Sequence, residues 1–461
     1  MITINEIVKA TSGKLVRGVA GKKNLRISID SRSIKPGEVF VAVRGKNFDG
    51  HKFIYDVISK GAAGIVSSKK IMWIPSNFRG KTPPEIPVIK VKDTNKALGD
   101  IAGFYRRKFD IPVVAITGSV GKTSTKEIAS NVLMKKYPVL KNTKTENNMF
   151  GVSLTLLNLN KLHKAAVIEF GTNHFGEIAV LSKIARPTIA IFTNIGESHL
   201  QHLQTPAGVF REKFQLVKYM DKNGVIIFNA DDEHLSSLLK KNLSQKTITF
   251  GIEKKADFQA VKIEKKGGKI TFAVSGKKYC LNTFVEHNIY NALAAICCGS
   301  LNNIGYNSIL TGIKTPTDCQ GRQKIRKFGK ITVIDDTYNS NPLSFKSAIR
   351  TLGGLKAKGK KIIVCSDMLE LGSAAKQLHE NMSKDIEAAG IDLVVTFGSL
   401  AKHITNALKN SRITKATHYN SIEAVKRRVK VLCNDGDIVL VKGSRSTNME
   451  RIVEFLEKNE D

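Results

Sequence analysis

No apolar run in the chain approaches the roughly 20 residues that a bilayer span requires. The longest, such as Ile111 to Ile116, stop far short, which predicts no integral membrane association. The first residues, MITINEIVKATSG, lack the basic segment and apolar core of a secretion signal. Cysteines number six, none in a C-x-x-C pair and several within apolar runs. They read as reduced core thiols of a cytoplasmic protein, not as a disulfide framework. Aromatics are 7% of the chain, and no stripe interleaves them with basic residues, which argues against a base-stacking nucleic-acid surface. Internal repeats and low-complexity tracts are absent. Acidic residues are scarce: 40 Asp and Glu against 73 Lys and Arg leave a formal charge of +33. Such a field attracts nucleic acid, anionic membranes or nucleotide-bearing substrates. The basic residues are scattered, however, and no run reaches five, so the plainer reading is a lysine-rich solvated surface.

What is present is ordinary globular composition, 42% hydrophobic and 25% charged. At roughly 150 residues per domain, 461 residues predict about three domains. Residues 1–83 are short mixed elements with many turns, including DSRS at 30–33 and an alternating strand from Val39 to Val43. A Pro-rich stretch, KTPPEIP at 81–87, reads as a linker. In 84–314, apolar strands (IPVVAIT, KAAVIEF, PTIAIFTNI, GVIIFNA) alternate with helical periodicity, which predicts βαβ units and a mostly parallel sheet. Residues 251–286 alternate with period two around Gly-Gly and Gly-Lys turns, as an antiparallel insertion would. A polar link leads into 315–461, where ITVIDD, KKIIVCSDM, IDLVVTFG and DIVLVKGS predict a second open α/β sheet.

The strongest local signal is VVAITGSVGKTSTKE at 113–127. An apolar strand enters a Gly-rich turn and leaves as a helix. The common phosphate-loop pattern is G-x-x-x-x-G-K-[ST]; here Ile116 stands at the first glycine, and the loop reads T-G-S-x-G-K-T. The candidate nucleotide site is Thr117, Gly118, Ser119, Val120, Gly121, Lys122, Thr123 and Ser124. Backbone N–H groups from Gly118 to Lys122 would cradle phosphates at the helix N-terminus. Lys122 would reach the β- and γ-phosphates, and the Thr123 hydroxyl would ligate Mg²⁺. The next strand ends in Glu169, on the rim where open α/β sheets bind ligands, and a carboxylate there suits Mg²⁺. The strand after it places His199 just past its end, a metal or phosphate candidate. Lys213, in VFREKFQLV, reads by itself as a helix-surface lysine.

These motifs, with DSRSIKPGEVFVAVRG, ENNMFGVSLTLLNL, EFGTNHFGEI, NIGESHL, EHNIYNALAA, GRQKIR, IDDTYNSNPLSFKSAI, SDMLELG and VLVKGSRSTNMERIV, run the length of the chain. In them the chain resembles the Mur ligase family of cytoplasmic peptidoglycan synthesis. IDDTYNSNP and SDMLELG resemble the member that adds D-alanyl-D-alanine to UDP-N-acetylmuramoyl-tripeptide. The resemblance implies a small α/β N-terminal UDP-binding domain, a central P-loop ATPase domain and a C-terminal Rossmann-like domain. It implies ATP and Mg²⁺ as cofactors, and small-molecule substrates handled by a monomer. It matches Lys213 to a lysine carried as a carbamate, a second Mg²⁺ ligand beside His199. Asn288 and Asn291 match adenine-side positions, and Arg322 opens the third domain toward the phosphates. Asp336, Tyr338 and Asn339 match the edge that closes over the nucleotide. Ser31 and Arg32 match the uridine diphosphate end; Thr145, Asn147 and Asn148 face the sugar-peptide. Phe170, Ser366 and Thr145 depart from the usual family residues, and none of the three removes a charged group.

Plainer readings stand beside these. DDTYNSNP and ENNMFG are rich in turn formers, and in VLVKGSRST either Ser446 or Thr447 could cap the last helix. The rival of another class is a P-loop ATPase acting on nucleic acid, which salt-sensitive DNA binding would support. Within the enzymes, a ligase adding the third amino acid would be expected to carry a D-N-P-R-type motif, which is missing. The DSR segment speaks against folylpolyglutamate synthase-like chemistry.

Overall fold

The computed structural model describes residues 1–21, 23–71, 86–143, 146–317 and 320–458. Its strands form four sheets. The first joins β1 (Lys14–Arg17), β2 (Arg26–Ser28), β3 (Glu38–Val41), β4 (Gly64–Ser67) and β5 (Val88–Lys90) in the order β1-β5-β4-β3-β2. Only the β1–β5 pair is antiparallel. The alternation expected from Val39 to Val43 is not found, because all five residues are buried. Val39, Val41 and Val43 pack into one core and Phe40 and Ala42 into another, as an inner parallel strand covered on both faces requires. β5 lies beyond the residue-83 boundary yet pairs with β1 and β4, so the first unit extends past residue 90. Most of the expected linker at 81–87 lies outside the described residues.

The central sheet is fully parallel. It contains β6 (Val113–Thr117), β7 (Val139–Lys141), β8 (Ala165–Glu169), β9 (Ile189–Phe192), β10 (Val225–Asn229), β11 (Lys246–Gly251) and β12 (Phe258–Gln259). Their order is β12-β11-β10-β9-β6-β8-β7. Side chains alternate between two cores: Val113, Ala115, Ile168 and Phe192 on one face, Val114, Ile116, Val167 and Ile191 on the other. That double covering is why these strands read as unbroken apolar runs. The expected antiparallel insertion is present as β13 (Val261–Lys266), β14 (Lys269–Val274) and β15 (Lys277–Leu281).

The last sheet contains β16 (Lys324–Phe328), β17 (Ile331–Asp336), β18 (Lys361–Ser366), β19 (Leu393–Phe397), β20 (Lys415–Tyr419) and β21 (Ile438–Lys442), ordered β16-β17-β21-β18-β19-β20. It is parallel except for the β16–β17 hairpin. The strand order decides what comes together. β8, β6 and β9 are neighbours in the central sheet, and β17, β21 and β18 are neighbours in the last. Each triplet therefore gathers three carboxyl-end loops on one rim.

No helix among the described residues is long and apolar enough to cross a membrane. The five described cysteines are free; Cys297, Cys298 and Cys365 are buried, and burial pushes the Cys298 thiol up to about 12. Cys319 lies outside the described residues. The last helix spans Glu450–Lys458. Thr447 donates to the Ser444 carbonyl (2.6 Å) and accepts from Ser366 (2.6 Å), inside a short turn that ends before the helix starts.

Candidate active site

The glycine loop leaves β6 and turns into the helix Lys122–Leu133. Gly121 precedes the helix at φ +85°, with no side chain capping it, so the first helical N–H groups stay open. A Cβ at Gly121 would sit 2.5 Å from the Asn291 Oδ1. Two amides expected to face phosphate are already engaged. Ser119 N–H donates to the Asn194 carbonyl (2.9 Å) and Val120 N–H to the Asn194 side chain (2.8 Å). The loop is thus stapled to the end of β9, and these two amides are not open to phosphate. Lys122 curls back so that its ammonium donates to the Gly118 carbonyl at 2.8 Å. Desolvation lowers its pKa, with nearby Glu169 opposing the shift.

Glu169, at the end of β8, is buried, and its two oxygens are shared. The Thr123 hydroxyl donates to Oε2 (2.7 Å) and Asn147 Nδ2 to Oε1 (2.8 Å). Asn142 holds the Glu169 backbone at both its N–H (3.0 Å) and carbonyl (3.3 Å). Two of the expected Mg²⁺ ligands, Thr123 and Glu169, therefore face each other as hard oxygen donors. Among the described residues no three His, Cys, Asp or Glu form a metal cage. A partial shell is what Mg²⁺ uses when water and phosphate complete it.

His199 starts the short helix Leu200–Leu203 after β9, in the left-handed region at φ +54°. Its Nδ1 lies 2.6 Å from the Glu370 carboxylate, carried on the loop after β18. Burial lowers the His199 pKa, and the hydrogen bond from His199 lowers that of Glu370. Both directions favour a neutral imidazole beside a carboxylate, which leaves the proton on Nδ1. Lys213, on the helix Pro206–Lys218, is 1% exposed and not the surface lysine that its local pattern suggests. Its ammonium has no hydrogen-bond or ion-pair partner among the described residues. Desolvation first, and Lys122 second, hold its pKa well below the ordinary lysine range. The neighbouring Glu212 is occupied elsewhere, accepting from the amides of Gly176 (2.7 Å) and Ile178 (2.8 Å).

The second rim supplies the opposite wall. Asp336, the last residue of β17, is buried with Lys442 from β21 at 2.6 Å. Desolvation raises the Asp336 pKa and Lys442 opposes it. Lys442 also donates to the Asn339 carbonyl (3.0 Å), fixing the turn that carries Tyr338. The Arg322 guanidinium lies over the Tyr338 ring, 4.1 Å from its centroid. On the central side, Asn291 accepts from the Thr125 hydroxyl (3.1 Å) and donates to Asn288 (2.9 Å).

These walls enclose a cavity of about 500 Å³. Of the expected residues, Ser119 to Lys122, Ser124, Asn147, Glu169, His199, Asn288, Asn291, Arg322, Asp336, Tyr338 and Asn339 line it. Thr117, Gly118, Thr123 and Lys213 do not; Thr117 is fully buried and donates to the Phe170 carbonyl beneath the loop (3.2 Å). Asn148 is exposed and caps the helix Met149–Leu157 by accepting from Gly151 N–H (3.0 Å). Ser31 and Arg32 lie in the turn between β2 and β3 and do not line the cavity. Arg32 pairs with Asp30 (2.7 Å) and draws that carboxyl down to about 2. Thr145 lies outside the described residues. Sequence reasoning missed Glu370, Lys442, Asn194 and His287. All sit inside motifs that were singled out, but a loop residue's pattern does not reveal which partner it meets. The His287 Nε2 is buried in the wall without a partner among the described residues, and burial lowers its pKa to about 4.

Comparison with known proteins adds a separate line of observation. Residues 26–106 match the Mur ligase family catalytic domain, 116–299 the Mur ligase middle domain, and 321–445 the Mur ligase glutamate ligase domain. The UDP-N-acetylmuramoyl-tripeptide–D-alanyl-D-alanine ligase of Buchnera aphidicola subsp. Baizongia pistaciae is 37% identical, covering 99% of each chain. The protein of that name from Bacillus subtilis is 32% identical over 93% of this chain and 92% of its own. A crystal structure of MurF from Acinetobacter baumannii aligns with a TM-score of 0.89 at 29% identity, covering 99% of both chains. MurF ligase from Thermotoga maritima, in complex with ADP, aligns at 0.83 and 27% identity over 95% of this chain and 98% of that one.

Proposed function

The chain belongs to the Mur ligase family, and on that premise we propose that it joins D-alanyl-D-alanine to UDP-N-acetylmuramoyl-tripeptide at the expense of ATP. The observation that carries this reading is the pair of carboxyl rims closing on one cavity, a phosphate loop on one and Arg322, Asp336 and Lys442 on the other. A carboxylate is a poor electrophile. Its phosphorylation by ATP gives an acyl phosphate and ADP; the amine of D-alanyl-D-alanine then attacks the acyl carbon and phosphate leaves. The products are UDP-N-acetylmuramoyl-pentapeptide, ADP and phosphate.

Each group has a task in that sequence. The helix N-terminal amides and Lys122 hold the transferred phosphoryl group and its growing charge. Asn288 and Asn291, which line the cavity, would meet the adenine end of the nucleotide. Thr123 and Glu169 would hold Mg²⁺, which neutralises phosphate charge when bound. Asn147 orients Glu169, a role on the metal side that complements its expected place beside the sugar-peptide. His199 and Lys213 would hold a second Mg²⁺. For that, the neutral Lys213 amine adds to CO₂, forming an N–C bond and releasing a proton, which leaves an anionic carbamate oxygen. Its deep burial, lowered pKa and lack of a partner support this step. A free ammonium there would repel the metal. Ser31 and Arg32 would meet the uridine diphosphate end. The wall carrying Asp336, Tyr338 and Asn339 keeps water from the acyl phosphate.

The enzyme acts in the cytoplasm as a monomer, on small molecules and not on nucleic acid. Phosphate release in a coupled assay tests the reading: it should require ATP, UDP-N-acetylmuramoyl-tripeptide and D-alanyl-D-alanine together. Turnover with a single amino acid in place of the dipeptide, or stimulation by DNA, would overturn it.

A further inference from the structure

His199 and Glu370 come from different sheets, 171 residues apart, and meet at 2.6 Å. Both stand in the left-handed region, at φ +54° and +63°, a conformation that side-chain-bearing residues hold only when their surroundings impose it. The contact is reinforced through the backbone. Gln201 N–H donates to the Glu370 carbonyl at 3.0 Å. Gly372, at φ +58°, packs so closely that a Cβ there would lie 3.2 Å from the Gln201 Cα. Among the described residues the Glu370 carboxylate has no other hydrogen-bond partner, and both side chains line the cavity.

A carboxylate only accepts. Engaged with Nδ1, it requires the proton there and leaves the Nε2 lone pair free. We propose that Glu370 is a positioning residue: it fixes the tautomer and ring direction of His199 from across the cavity, so that the ligand set on the central rim is complete only when the last sheet is seated against it. This rests on the reading of His199 as a metal ligand. It also gives that reading a consequence, since seating the last sheet and forming the metal site become one event. Carboxylates that orient ligating histidines in this way contribute about 10- to 100-fold to metal affinity or activity.

Glu370→Ala and Glu370→Gln in the full chain test it, because a glutamine oxygen can still accept from Nδ1–H. Histidine ¹⁵N–¹H spectra report the His199 tautomer without reference to activity, with His199→Ala assigning the signal. Mn²⁺ titration of the ADP complex reports the ligand set. Glu370→Ala should lose the Nδ1–H signature and bind Mn²⁺ about 10- to 100-fold more weakly, with kcat falling more than the KM for ATP rises. Glu370→Gln should keep the signature and most of the affinity. An unchanged signature in Glu370→Ala, or Mn²⁺ affinity within about twofold of the parent, overturns the proposal. If His199→Ala itself binds Mn²⁺ as tightly as the parent, the ligand reading of His199 fails, while the tautomer result still decides whether Glu370 orients the ring.

Discussion

Replacing Lys442 by Met tests whether the buried pair on the second rim stabilises the fold or only shapes the cavity. Lys442 is 1% exposed, and its ammonium meets Asp336 Oδ2 at 2.6 Å. Methionine fills a similar volume without charge. Asp336 would then keep only the Gln323 N–H at 3.2 Å, on Oδ1, and the more distant field of Arg322. Breaking a buried pair by removing one partner costs about 3–5 kcal/mol. The remaining compensation favours the lower end, about 3 kcal/mol, or roughly 10 °C in the melting of a unit this size. The loss should depend on pH. In the parent, desolvation already raises the folded-state pKa of Asp336 above its unfolded value, and Lys442 restrains it. Without Lys442 it rises further. Between the unfolded and folded values the folded state binds the extra proton, so stability falls as pH rises through that window. The deficit of Lys442→Met should therefore be larger at a neutral pH than at a mildly acidic one, closer to the unfolded-state value of the carboxyl. Adding Asp336→Asn should recover most of it. Scanning fluorimetry of the parent, the single and the double variant at both pH values is the assay. A single variant melting within about 2 °C of the parent at the higher pH, or a double variant no better than the single, would refute the reasoning.

Other consequences are more local. Lys122→Ala should lower kcat on the order of 10³-fold or more in steady-state phosphate release, because its charge acts mainly on the transferring phosphoryl group; a variant within about tenfold of the parent removes Lys122 from that role. Lys213→Ala should be nearly inactive, and a short carboxylic acid in the buffer should restore part of the activity by filling the vacated ligand position; full activity without the acid would end the carbamate reading. Gly121→Ala pays about 1–2 kcal/mol for a left-handed alanine and drives its Cβ into Asn291, so isothermal titration should show weakened ATP binding and melting should fall by a few degrees.

The pattern of the chain was enough to determine the two open α/β sheets and the phosphate loop. Each rests on local physics: apolar strands covered on both faces, and glycines where a loop turns into a helix. It also placed Glu169 and His199 at successive strand ends, because the C-terminal rim of a parallel sheet follows from strand order along the chain. The strands β7, β20 and β16 escaped it, being short or half-polar at sheet edges. The return of β5 to the first sheet escaped it as well, since a Pro-rich stretch looks the same inside a unit as between two.

Only the tertiary structure decided which side chains meet. Lys213 has a helix-surface pattern, yet packing seals it from water, and burial depends on what covers a helix more than on its own period. Thr117 and Asn148 sit inside ligand-like motifs but spend their hydrogen bonds on the scaffold. The pairings Thr123–Glu169, Asp336–Lys442 and His199–Glu370 join residues 46, 106 and 171 positions apart. No periodicity spans such separations. They exist because β8, β6 and β9 lie side by side, because β17, β21 and β18 do the same, and because the two rims are packed face to face.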